Sequence, residues 1–168
     1  AVSKLTGESY CKVFYRSYGV ETVVLRYFNV FGPRQDPSSH YAAVIPRFIT
    51  AALRGESPTI FGDGEQSRDF CFIDNVVEAN LKACTATGAA GKVFNIACGE
   101  RITLLDVIRA LAGITGRTIT PHHEPSRVGD IRHSLADTTR AREVLGYSGA
   151  IPFAEGLRRT VAWYRERV

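Results

Sequence analysis

The chain has 168 residues, 45% of them hydrophobic and 23% charged, with a net charge of +4 at pH 7. That length suits a single soluble domain able to bury a sizeable core. No apolar run reaches the roughly 20 residues of a membrane helix, and no secretory signal opens the chain. The arginines are scattered rather than striped, which argues against nucleic acid and for small anionic ligands.

Residues 3–18 are predicted to be helical, with Leu5, Tyr10, Val13, Phe14 and Ser17 roughly on one face and Gly19 as the stop. Glu21–Phe28 is a β-branched, apolar run of strand length, continuous enough to be buried on both faces. Gly32 to Ser39 has turn composition. A second helix is expected over Ala42–Leu53, with Pro46 tolerated in its first turns and Gly55 closing it.

Short strands at Thr59–Phe61 and Phe70–Ile73 flank the turn Gly62-Asp63-Gly64. Asp74 is expected to cap a helix running through Ala86. Lys92–Ile96 follows as a strand, and Thr103 caps a helix over Leu104–Ile114. Arg117–Thr120 is expected to be extended and Pro121–Pro125 a loop. Helices near Thr138–Leu145 and Phe153–Arg167 complete an α/β pattern.

Cys11, Cys71, Cys84 and Cys98 lack C-x-x-C spacing and sit in apolar contexts, so they are read as reduced core thiols of a cytoplasmic protein. His122 and His123 are adjacent and have no cysteines at zinc-ligand spacing. His40, His122, His123 and His133 are expected to be solvated or capping, Asp106 and Glu143 to be ordinary exposed helix charges, and Glu8 has no assigned chemistry. The chain contains no methionine. Ala1 therefore follows either a removed initiator or a cut in a longer chain.

Four blocks in fixed order carry a family resemblance. They are the opening around Lys4, the run Leu25-Arg26-Tyr27-Phe28-Asn29-Val30-Phe31-Gly32-Pro33-Arg34-Gln35-Asp36-Pro37, the run Gly62-Asp63-Gly64-Glu65-Gln66-Ser67-Arg68-Asp69-Phe70, and Gly129-Asp130-Ile131-Arg132-His133-Ser134. They resemble the extended short-chain dehydrogenase/reductases, within them the NAD-dependent nucleotide-sugar epimerases and dehydratases. The nearest likeness is to UDP-N-acetylglucosamine/UDP-glucose 4-epimerases, of which the chain resembles only the C-terminal half.

The resemblance implies that residues 1–32 are a remnant of the dinucleotide-binding Rossmann sheet, a lysine helix and the strand after it. Residues 33–168 are then the nucleotide-sugar-binding domain. In the family, Lys4 would hydrogen-bond the nicotinamide ribose and lower the pKa of a catalytic tyrosine. That tyrosine would stand one residue before Ala1, and the glycine-rich phosphate loop is absent from the sequence, so Lys4 is read as vestigial. The family's NAD oxidises C4 of the sugar and returns hydride to the other face. This chain alone is expected neither to hold NAD nor to epimerise.

For the sugar nucleotide, the resemblance places Asn29, Arg68 and Arg127 at the phosphates, where guanidinium forks suit a pyrophosphate. Asp130 is read as an acceptor for ribose hydroxyls or as a turn residue. Phe61, with the backbone of Ile60, is either the platform for the uracil ring or core. Ala43, Val44 and Phe48 either line the sugar nucleotide or pack inside a helix. Ser134 stands at the wall of the hexose pocket, where a small residue leaves room for a 2-acetamido group.

Residues 1–30 contain an interior-type strand without its neighbours, which predicts a homodimer or a swapped assembly. Two other readings remain open: a related sugar-nucleotide dehydratase or decarboxylase, and a non-catalytic fragment that assembles without a ligand.

Overall fold

The computed structural model describes residues 2–37 and 44–167. In chain order the elements are α1 (Val2–Tyr18), β1 (Val24–Tyr27), β2 (Val30–Phe31), α2 (Val44–Arg54), β3 (Thr59–Phe61), β4 (Ser67–Arg68) and β5 (Cys71–Phe72). They continue with α3 (Ile73–Thr85), β6 (Val93–Ile96), β7 (Ile102–Thr103), α4 (Leu104–Thr115), β8 (His122–Glu124), α5 (Thr139–Leu145) and α6 (Phe153–Arg165). The class is mixed α/β. The strands join in pairs: β1–β6, β2–β5 and β3–β8 are parallel, and β4–β7 is antiparallel.

Local signals place most of these elements. Gly19 stops α1 with φ +68°, and Gly55 turns the chain after α2 with φ +75°, a left-handed geometry that glycine reaches without a Cβ clash. Thr103 caps α4 through a reciprocal box. Its hydroxyl accepts from Asp106 N at 3.0 Å, and Asp106 Oδ2 accepts from Thr103 N at 2.9 Å. Asp106 is thus a structural residue rather than an idle charge: the Thr103 hydroxyl also donates to Oδ2 at 2.6 Å, and that bond, with the one from Thr103 N, holds the carboxyl below the usual range.

Elsewhere tertiary context overrides the local reading. The segment His122–Glu124, expected in a loop, is a strand because it pairs with Thr59–Phe61. Asp74 lies inside the first turn of α3, whose cap position is Phe72. The run 21–28 is not buried on both faces: β1 pairs with β6 alone, and Arg26 and Tyr27 are exposed. The apolar face of α1 is no core face either, since Leu5, Tyr10, Val13 and Phe14 are all exposed.

The one buried residue of α1 is Glu8. Its carboxylate accepts from Lys12 Nζ at 2.8 Å and from Arg26 Nε at 2.9 Å, which ties α1 to β1 and lowers the carboxyl pKa. All four cysteines are unpaired. Cys71 is buried against Cys98 and Tyr147, and its thiol is pushed up by its hydrogen bond with Cys98 and by burial. Cys84, expected in the core, is exposed.

Two apolar clusters hold the fold. One packs β2, α2, β3, β5, α4 and α6 around Phe31, Ile49, Ile60, Leu111 and Leu157. The other packs α3, β6 and α5 around Cys71, Ala79, Phe94 and Ile96. In α6, Gly156 lets the helix backbone lie directly on Phe72: a Cβ there would stand 2.8 Å from Phe72 Cβ, Cγ and Cδ2. Gly156→Ala should therefore lose about 1–3 kcal/mol of stability despite alanine's better helix propensity. Urea denaturation checks this, and a gain in stability would refute it.

Candidate functional site

One cleft of about 650 Å³ opens on the first cluster, a volume within the usual range for small-molecule sites. Its α2 wall is one helical face. Val44, Arg47, Phe48 and Ala51 stand at i, i+3, i+4 and i+7, so all four side chains reach the same cleft. The facing wall is Thr59 and Phe61 of β3. Asn29 and Val30 line one end, and Arg68 of β4 another.

The segment 127–130 closes the remaining side as a tight turn, with Asp130 N donating to Arg127 O at 3.2 Å. Gly129, at φ +83°, occupies the third position of that turn, where a positive φ is required. The turn delivers Arg127 and Asp130 to the cleft together. Asp130 Oδ1 accepts from Arg68 Nη2 at 2.5 Å, while Arg68 Nη1 donates to Ser67 O at 2.9 Å. The Arg127 guanidinium lies over the Phe61 ring, 3.7 Å from its centre.

Asn29 sits in a left-handed conformation, φ 36°, which asparagine tolerates better than most residues. Its Nδ2 donates to Asp69 O at 3.0 Å, so the residue is locked to the strand that carries Arg68. Asp69 itself turns inward and is fully buried. Its Oδ1 accepts from Cys98 N at 3.0 Å, and its Oδ2 from Gly99 N at 3.0 Å and Ala136 N at 3.2 Å. The two neighbouring side chains thus part company: Arg68 lines the cleft and Asp69 is buried in the interior.

Of the residues singled out in the sequence, the cleft gathers Asn29, Val44, Phe48, Phe61, Arg68, Arg127 and Asp130. Ile60 is fully buried in the core beneath it. Ser134 is half-buried outside the lining, its amide donating to Ser67 O at 3.1 Å beside Arg68. Lys4 is exposed on α1 and does not line the cleft. Ala43 and His40 lie outside the described residues.

Sequence reasoning missed Arg47 and Gln66, both in the lining. The i, i+3, i+4 spacing with Val44 was the available signal for Arg47. Gln66 has no such local signature. Among the histidines, His133 Nδ1 is 2.9 Å from Ser67 Oγ and His123 Nδ1 is 2.8 Å from Gly62 O, structural contacts in both cases. Among the described residues no cluster of acidic, histidine and cysteine side chains could hold a metal, and no helix is long and apolar enough to cross a membrane.

Three arginines, one carboxylate and an aromatic face thus line one apolar-walled cleft, a set of groups chemically suited to an anionic, ring-bearing small molecule. A family model described as the NAD dependent epimerase/dehydratase family matches residues 1–97, and the chain belongs to that family. A UDP-glucose 4-epimerase of Mycolicibacterium smegmatis is 38% identical over 167 residues, covering 99% of this chain and 53% of that protein.

Two solved structures are similar at 42% identity, each covering 98% of this chain and 52% of the other. A UDP-glucose 4-epimerase from Thermotoga maritima, with UDP-glucose, has a TM-score of 0.93. A UDP-N-acetylglucosamine 4-epimerase from Methanobrevibacter ruminantium, in complex with UDP-N-acetylmuramic acid, has 0.88. More distant relatives include a UDP-N-acetyl-alpha-D-glucosaminuronate decarboxylase and dTDP-glucose 4,6-dehydratases. The chain spans about half the length of the curated relatives it matches.

Proposed function

We propose that this chain is the UDP-sugar-gripping portion of an NAD-dependent UDP-hexose 4-epimerase. The observation that carries the reading is the convergence of Arg47, Arg68 and Arg127 with the Phe61 ring in one cleft. Guanidinium forks match a pyrophosphate, and a flat ring matches a base. Asn29 and Asp130 complete the polar contacts with phosphate and ribose. Ser134, small and next to the Arg68 strand, fits a hexose wall that admits a 2-acetamido group.

NAD is the cofactor that the family implies, and it would supply hydride transfer at the sugar's C4. Lys4, the side chain that the family directs to the nicotinamide ribose, is exposed on α1 and does not line the cleft. We assign residues 1–32 to the dinucleotide-binding portion. The chain alone is expected to bind sugar nucleotide without turning it over.

A second reading, assembly, has its own observation. Tyr10, Val13, Phe14 and Tyr18 expose apolar surface along α1, and β1 has an unpaired edge among the described residues. Both suit a homodimer or a swapped assembly. Calorimetric titration with UDP-N-acetylglucosamine, UDP and NAD tests the main reading. Saturable binding of the two UDP compounds without NAD is the expected result. Absence of UDP binding would refute it and leave assembly as the role.

A further inference from the structure

Among the described residues, two buried side-chain polar atoms have no hydrogen-bond partner in the protein, Oε1 of Gln35 and Oε1 of Gln66. Gln66 is only 7% exposed, yet it is part of the cleft lining, beside Phe61. Its Nε2 donates to Phe61 O at 2.6 Å. Turning the amide over would bring oxygen against oxygen at that distance, so the orientation follows from the contact. The main chain is held as well, with Leu104 N donating to Gln66 O at 3.3 Å. The result is a preorganised acceptor, and folded proteins rarely keep a buried one without a use.

We infer that Gln66 Oε1 accepts the ring N–H of a uracil-type base seated on Phe61, which makes Gln66 a base-selecting residue of the cleft. The inference rests on the UDP-sugar reading above and adds to it the group that reads the base. Stacking alone is tolerant, because every base has a flat face. An acceptor tied to the backbone of the stacking residue adds a demand for a donor at the ring edge.

Arg127 enters the same step. Its guanidinium now covers the Phe61 face, and Oε1 is closed to solvent. A base seated on Phe61 would take the place that the guanidinium now holds, which leaves Arg127 free to turn toward the phosphates.

The test is calorimetric titration of UDP and of its N3-methyl analogue, in which a methyl group replaces that hydrogen, with wild type and Gln66→Met. Wild type should prefer UDP by about tenfold or more, the scale of one hydrogen bond in a sheltered site. Gln66→Met should lose most of that preference, because the two changes delete the same contact. Equal affinities in wild type would overturn the inference, and that comparison needs no variant to fold. A preference retained by Gln66→Met would also overturn it, since the methyl group would then be excluded by shape alone. Failure of wild type to bind UDP at all refutes the UDP-sugar reading and this inference together. Binding of UDP without discrimination refutes only this one.

Discussion

Arg68→Ala should weaken UDP binding by about 100-fold or more, the largest functional effect of any single substitution in the cleft. Arg68 is the better buried member of its ion pair, with a side chain 18% exposed against 40% for Asp130. Removing it deletes two guanidinium donors and leaves the Asp130 carboxylate unopposed at the place where phosphates would sit. Once a bound nucleotide covers the pair, truncating one partner commonly costs about 2–5 kcal/mol in binding, much of it from the charge left behind.

The double variant Arg68→Ala/Asp130→Ala should therefore recover part of the loss. Arg68→Lys should recover less than a charge count suggests, because an ammonium cannot form the two-pronged contact. Calorimetry on variants with unchanged circular dichroism decides the matter. Unaltered UDP affinity in Arg68→Ala would remove the pyrophosphate assignment.

Asp69→Asn should produce the largest loss of stability, about 3–5 kcal/mol in urea denaturation, through unpaired donors rather than lost volume. Both carboxylate oxygens accept from backbone N–H groups: Oδ1 from Cys98, Oδ2 from Gly99 and Ala136. An amide keeps one oxygen and points an N–H₂ group at donors on the other side. The three amides belong to two segments, 98–99 and Ala136, that the Asp69 carboxylate ties together. With total stabilities of roughly 5–15 kcal/mol for such domains, the variant should be marginal at room temperature. A change below about 1 kcal/mol would show that neither segment depends on this carboxylate. Because Arg68 and Phe70 flank Asp69 and both line the cleft, loosening it should also weaken UDP binding.

Where a signal and its partner lie within a turn of each other, the sequence already contains both. Thr103 and Asp106 are three residues apart, and their reciprocal cap marks the start of α4 correctly. Gly19 and Gly55 end helices, as expected, by adopting positive φ. The seven cleft residues read from the sequence came through family resemblance. Spacing added only the α2 face, since Val44 and Phe48 imply Arg47.

The misreadings have one physical origin. Apolar periodicity states that a face avoids water but not what covers it, and the face of α1 that carries Leu5, Tyr10 and Phe14 is exposed. His122–Glu124 has loop composition and becomes a strand because β3 offers it an edge.

By itself, then, the sequence determined the α/β class, most helix limits and the residue types suited to a sugar nucleotide. Only the tertiary structure decided that Arg68 pairs with Asp130, 62 positions away, that Arg127 lies on Phe61, and that Gln66 keeps a spare oxygen beside them. Those contacts join residues distant along the chain. They exist only once loop closure has been offset by the burial of the two apolar clusters.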